Sequence, residues 1–210
     1  MTDARHEAVP SKCKHCDKPM SEVVVCDYCH AINPGGLTND FFALLALPRT
    51  FNLDQTLLQQ KFFALNRHVH PDRHSGESPE VQQLSLAMAA AVNDAYRTLK
   101  DPAARGAYLL ELLGGKSSAA DKSVPDGFLN TIMMLQEELA DAKQAGRDDE
   151  VSRLRDVLCK QEDGLLRRIA DLFSQYEESV ACEAVRTDLL MEIRKQLNAV
   201  SYVKKLLSQM

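Results

Sequence analysis

Pro71 falls between two long stretches of helical periodicity and fits inside neither, so the chain around it must double back. Before it, Leu58, Phe62, Leu65 and Val69 recur at steps of four, three and four, one apolar stripe of a 3.6-residue period. Asp54 stands where an N-cap would start that helix. The helix must end by His70, because the proline ring clashes with the preceding turn and drives the residue before it out of the α region. Pro79 then suits the first turn of a second helix with Val81, Leu84, Met88, Val92, Ala95 and Leu99 on one face, and Asp101-Pro102 breaks it. Each helix has a stripe it cannot bury alone.

The flanking sequence continues in the same grammar. FFALLAL, residues 41 to 47, reads as a short apolar helix stopped by Pro48, with Thr38 or Asn39 as its N-cap, and another short helix runs from Pro102 to Gly114-Gly115. The stretch GGKSSAADKSVPD is small, polar and turn-prone, which makes a linker. Beyond it come three stripes: Phe128, Ile132, Leu135, Leu139 and Ala142; Leu154, Leu158, Leu165, Ile169, Leu172 and Tyr176; and Val185, Leu189, Ile193, Leu197, Val200 and Leu207. Joined at AGRDD and near Glu177 to Ala181, these helices should pack as an antiparallel three-helix bundle. With 45% hydrophobic residues but only 6% aromatics, the chain favours helix over sheet. The expected fold is mainly α, in four parts: residues 1–36, 37–115, a linker at 116–127 and the bundle at 128–210.

Residues 1–36 differ in kind. They hold Cys13-x-x-Cys16 and Cys26-x-x-Cys29, nine residues apart, and close on the turn sequence NPGG. A CxxC turn places two thiolates on one side of a tight loop, and two such turns complete a tetrahedron around Zn²⁺. Only Val23, Val24 and Val25 offer a strand, so the metal would supply most of this segment's folding energy. The alternative is a redox dithiol pair or two disulfides, disfavoured by the paired spacing. His15 or His30 is able to replace a neighbouring cysteine; four thiolates already close the shell and make the site structural.

The loop HVHPDRH, residues 68 to 74, carries three histidines. Residues two apart on a helix face different ways, and Pro71 interrupts the helix between His70 and His74, so a metal site there is disfavoured. General acid–base work needs a pocket and a second positioned group, and no nucleophile or glycine-rich cradle lies nearby. What remains is a rigid corner at the end of a helix bearing Lys61 and Arg67, with no acidic residue between Leu57 and His70. That corner suits docking onto an acidic surface; the plainer reading is a helix stop facing water.

The order of a short helix, a loop, a basic helix, His70-Pro71-Asp72, a long antiparallel helix and a final short helix resembles the J domain of DnaJ-type co-chaperones. A C-terminal helical bundle, in place of a glycine-rich or β substrate-binding region, is similar to the HscB family of iron–sulfur cluster assembly. FFALLALPRTFNLD, NDAYRTLKDPAARGAYLLELLG and FLNTIMMLQEELADA carry that likeness, and the paired CxxC motifs resemble the zinc-bearing eukaryotic branch. The resemblance implies a four-helix J domain and no enzymatic activity of the chain's own. His70, Pro71 and Asp72 would trigger the ATPase of a 70-kDa heat-shock chaperone of the DnaK/HscA type, with Lys61, Arg67 and Arg73 steering the encounter. Arg73 stands where many J domains have lysine. The bundle would hold an IscU-type cluster scaffold through Leu129, Met133, Glu137 and Asp141, with Leu190 of the third helix as a further contact; Asn130 and Met134 depart from the apolar and acidic residues of relatives. Cys13, Cys16, Cys26 and Cys29 would bind one structural zinc.

Other classes fit less well. A net charge of −5, with Asp17, Glu22 and Asp27 offsetting Lys12, Lys14 and Lys18, argues against a zinc-ribbon nucleic-acid binder. No apolar run approaches the roughly 20 residues needed to span a bilayer. A competing reading has the zinc module act as a ligand-binding or redox element while the J domain recruits a chaperone for general folding. The family implies the mitochondrial matrix, although Asp3 and Glu7 and the lack of an apolar core give the N-terminus no transit or signal character, which leaves the cytoplasm as the alternative. A homodimer is left open, and Cys159, Cys182 and Gly164 read as structural or incidental.

Overall fold

A computed structural model describes residues 12–179 and 183–210; the N-terminal Asp3 and Glu7, and Ala181 and Cys182 after the second bundle helix, lie outside them. The described residues are mainly α: α1 (Phe41–Leu44), α2 (Gln55–Val69), α3 (Pro79–Lys100), α4 (Pro102–Leu112), α5 (Phe128–Gln144), α6 (Asp148–Glu178) and α7 (Glu183–Leu207). Two single-turn 3₁₀ helices occupy Pro34–Thr38 and Pro71–His74. The chain divides into two compact units, residues 1–101 and 102–210.

In the first unit, α2 and α3 form the hairpin that Pro71 demands, with α1 against α3. The Asp54 carboxylate accepts from the Thr56 and Leu57 N–H groups and starts α2. Leu58, Phe62, Leu65 and Val69 are all buried, as their period requires. On α3 the buried set is Ser85, Met88, Ala89, Val92, Ala95 and Leu99, so the stripe enters the core at Ser85 while Val81 and Leu84 stay half-buried. The cap of α1 is Asp40, not Thr38 or Asn39: its carboxylate accepts from Phe42 and Ala43 N–H and also holds Arg49. The Asp40 carboxylate, next to the first helical residue, outcompetes the Asn39 amide and the Thr38 hydroxyl for those orphan donors.

The cysteine-bearing segment packs onto the same unit. Among the described residues Val23, Val24 and Val25 make no strand, only an isolated bridge from Val25 to Ile32. The NPGG turn becomes the 3₁₀ helix at Pro34–Thr38, capped by Asn33, and a Cβ on Gly36 would come within 3.0 Å of Met88 and 3.1 Å of Val24. Glycine there lets the segment close on α3.

In the second unit α4 packs with α7 and α6, and α5, α6 and α7 form the bundle. Phe128, Ile132, Leu139, Leu154, Leu158, Ala199, Val203 and Leu206 make one core, so α7 buries Val203 and Leu206 where the period pointed to Leu207 alone, and Val185 is exposed. Gly146, at φ 65°, makes the turn from α5 to α6 within AGRDD. The segment before α5 is strapped down. Arg194 is buried and donates from Nε to the Lys116 carbonyl at 2.8 Å, and Asn198 Nδ2 donates to the Asp121 and Ser123 carbonyls at 2.9 and 2.8 Å. Linker composition allowed freedom here; two buried polar side chains of α7 remove it.

Candidate functional site

The two CxxC turns fold as near copies thirteen residues apart. In the first, Cys13 N–H donates to Lys18 O and Asp17 N–H to Cys13 O; in the second, Cys26 N–H donates to Ala31 O and His30 N–H to Cys26 O. Asp17 and His30, each one residue past the second cysteine, take left-handed φ of 60° and 58°. Backbone N–H groups of His15 and Tyr28 point at the sulfurs of Cys13 and Cys26, both at 3.4 Å. The four Sγ atoms lie within 4.8 Å of one another, with Cys13–Cys29 and Cys16–Cys26 at 3.6 Å. A tetrahedron with metal–sulfur bonds of about 2.3 Å has edges of about 3.8 Å, so this set fits a single ion. The Cys26 thiol is drawn down to about 6, first by the Cys29 backbone N–H and then by that of Tyr28. Cys16 is driven up to about 12: the Lys18 backbone favours its thiolate, but burial and the Cys29, Cys26 and Cys13 thiols oppose it. A divalent cation relieves that crowding of negative charge. His15 and His30 are not in the cluster.

The second feature is the corner between α2 and α3. His70 ends α2 with φ −65° and ψ 130°, the extended conformation that the following proline imposes. Its Nδ1 accepts the Asp72 N–H at 3.3 Å, so His70 also caps the 3₁₀ turn over Pro71–His74. Three further side chains hold the corner. Ser85 Oγ, fully buried on α3, donates to the Val69 carbonyl at 2.8 Å; Gln82 Nε2 donates to the Ser75 and Glu77 carbonyls; and His74 Nε2 sits 2.9 Å from the His68 carbonyl. Within this scaffold His70 is exposed, and the Asp72 side chain is 90% accessible at 3.7 Å from the His70 ring.

The basic residues around the corner divide. Arg67 is exposed at the end of α2, and Arg73 Nη1 donates to the Arg67 backbone carbonyl at 3.3 Å, which holds the Arg73 guanidinium against the last turn of α2. Lys61 lies away from the corner and pairs with Glu22 of the cysteine-bearing segment at 3.1 Å, while His68 stacks on His30 with centroids 6.4 Å apart. Lys61, His68, Glu22, Asp27 and His30 border one hollow of about 310 Å³ over the Cys26 knuckle. Ser85, Gln82 and Glu22 had no motif to announce them; Ser85 was hidden as a polar residue beside an apolar stripe.

On α5, Leu129 and Met133 are 45% and 60% exposed, and Met134, Glu137 and Asp141 are exposed with them. They form a surface apolar strip with acidic neighbours, clear of the buried Ile132 row. Leu190 lies elsewhere. It is half-buried beside Leu113, Gly114, Tyr176 and Arg186, and nine residues before Ala199, the first α7 residue in the core cluster that holds Phe128, Ile132 and Leu139 of α5, a separation of about 14 Å along the helix.

Residues 124–209 match the family described as the HSCB C-terminal oligomerisation domain. The mouse iron–sulfur cluster co-chaperone protein HscB is 39% identical over 127 residues, 60% of this chain and 54% of the mouse protein, so the match spans about half of that relative's length. The co-chaperone protein HscB homolog of Aromatoleum aromaticum is 34% identical over 74% of this chain and 89% of its own. In fold, the chain is similar to the crystal structure of human co-chaperone protein HscB, with a TM-score of 0.78, 26% identity, and coverage of 95% of this chain and 96% of the human one.

Proposed function

Because this chain belongs to the HscB family of co-chaperones, we propose that it couples an iron–sulfur cluster scaffold of the IscU type to a 70-kDa heat-shock chaperone of the DnaK/HscA type and stimulates that chaperone's ATPase. It catalyses nothing itself. The observation that carries this reading is the corner at residues 70–74: an exposed His-Pro-Asp held by hydrogen bonds from α3, at the tip of a helix whose last turn is basic. Such a corner presents its side chains already ordered, so docking costs little conformational entropy. Arg67 and Arg73 steer the encounter with an acidic chaperone surface, and Lys61 contributes less because Glu22 offsets it.

The scaffold face is the α5 strip of Leu129, Met133, Glu137 and Asp141, with Leu190 a separate contact farther along the bundle. Methionine and leucine left in solvent beside carboxylates suit an adaptable interface. One structural Zn²⁺ sits on Cys13, Cys16, Cys26 and Cys29, its shell closed by four thiolates and without a catalytic position. The four parts, 1–36, 37–115, 116–127 and 128–210, are the metal module, the J domain, the linker and the scaffold-binding bundle. The matrix of the mitochondrion is the compartment that suits these partners, with the cytoplasm as the alternative; among the described residues no helix is long and apolar enough to cross a membrane.

The test is ATP turnover by a purified mitochondrial-type chaperone with its scaffold present, comparing the wild-type protein with His70→Gln. Stimulation by the wild type and its loss in the variant is the expected result. A wild type that does not stimulate would overturn the reading.

A further inference from the structure

Leu86, on α3, is the most exposed large apolar side chain among the described residues, 63% accessible. It does not belong to the core stripe. Pro79, Gln82, Gln83 and Leu86 recur at three, four and seven residues and so share one face, about a third of a turn around α3 from the buried row of Ser85, Met88, Ala89 and Val92. That face borders a shallow groove of about 510 Å³ whose other wall is Pro71, Asp72 and Ser75. The groove is built on ordered backbone: Gln82 donates to the Ser75 and Glu77 carbonyls and fixes the loop against α3.

We propose that this groove is part of the chaperone-docking surface, and that Leu86 is an anchor which buries against an apolar side chain of the chaperone while Asp72 meets a neighbouring cation. The inference rests on the reading of the His-Pro-Asp corner as the chaperone contact and extends it across α3. Two observations favour that occupant over a scaffold or a second copy. The groove is continuous with the corner, since Pro71 and Asp72 form its wall. Its chemistry is also specific: an exposed leucine floor next to a carboxylate that is 90% accessible and placed 3.7 Å from the His70 ring, which calls for an apolar group flanked by a positive charge. The corner thus has two sides, with Arg67 and Arg73 toward α2 and Asp72 with Leu86 toward α3. A partner that engages both is read for orientation as well as for charge.

The functions of His70 and Leu86 separate in titrations of chaperone ATPase against the full-length protein. For Leu86→Ala the protein concentration giving half-maximal stimulation should rise about tenfold, the loss expected when one leucine no longer buries, with the same plateau. Leu86→Glu should raise it further, because it places a second carboxylate beside Asp72. Melting temperature must match the wild type in both, as expected for a solvent-exposed position. Half-maximal concentrations unchanged in Leu86→Ala and Leu86→Glu, with stimulation still abolished in His70→Gln, would overturn the anchor while leaving the docking corner intact. Absence of stimulation by the wild type would overturn both. Weakened scaffold binding in the Leu86 variants, measured by calorimetry without the chaperone, would assign the groove to the scaffold and also refute the proposal.

Discussion

Ser85→Ala is the perturbation that most directly tests how the corner is held. The Ser85 hydroxyl and the residue it serves, Val69, are both fully buried, and the hydrogen bond between them is 2.8 Å. The Val69 carbonyl is among the last four of α2, a group that the helix itself cannot satisfy. Alanine leaves it without a donor in a place water does not reach, at a cost of about 1–3 kcal/mol. Taking 2 as a midpoint, about 2 kcal/mol lowers the melting temperature of a unit this size by on the order of 10 °C. The assay is urea or thermal unfolding followed by far-ultraviolet circular dichroism, paired with hydrogen exchange at the amides of residues 66–70. Gln82→Ala is the control. It removes two hydrogen bonds to the same loop, but from an exposed side chain whose partners water replaces, so its effect stays within about 0.5 kcal/mol. If Ser85→Ala proves no more destabilising than Gln82→Ala, or leaves exchange at the end of α2 unchanged, then the corner is not pinned from α3 and the argument for its order fails.

Two further outcomes follow from the same geometry. Chelation at neutral pH should release one metal ion per chain and unfold residues 12–33, read as loss of the well-dispersed amide signals of the two knuckles, whereas a protein already carrying Cys26→Ser should show no further change. In the bundle, Leu158→Ala should cost about 2–5 kcal/mol in chemical unfolding because the side chain is fully buried, while Leu129→Ala with Met133→Ala should leave stability within about 0.5 kcal/mol and instead weaken scaffold binding measured by calorimetry.

Periodicity made the helices legible because packing and propensity agreed. Leu58, Phe62, Leu65 and Val69 bury together, and so do Phe128, Ile132 and Leu139, each row being the face that a 3.6-residue repeat must hide. Leu129 and Met133 stood out for the complementary reason: they were apolar residues with no place in that row, and they are exposed. The tetracysteine cluster was legible because two CxxC turns have few other ways to satisfy four thiols. The failures were polar. The α1 cap fell to Asp40 because a charged acceptor beats the neighbouring neutral ones, and the ties that hold the linker GGKSSAADKSVPD went unseen because nothing local in it reveals Arg194 and Asn198, more than seventy residues onward, reaching for its carbonyls. Backbone groups look alike in any sequence, so long-range polar ties leave no pattern to read.

The same blindness bears on the docking corner. By sequence Lys61 and Arg67 lie on α2 with no acidic residue between Leu57 and His70, and the family resemblance adds Arg73 to them. Folding regroups them. Glu22 comes from 39 residues upstream to meet Lys61 at 3.1 Å, an exposed pair worth little in stability but enough to offset the positive charge on that part of the helix. The Arg73 guanidinium meanwhile returns to the Arg67 backbone carbonyl, which keeps its charge at the end of α2, where Arg67 is also exposed. Long-range steering depends on where net charge lies and not on how many basic residues a helix carries, so the proposed steering of an acidic partner would come from the tip of α2 and not from its middle. Under the proposed reading an acidic partner would meet the corner where His70, Asp72 and Leu86 are exposed, and the segment holding the four cysteines would shape that encounter through Glu22.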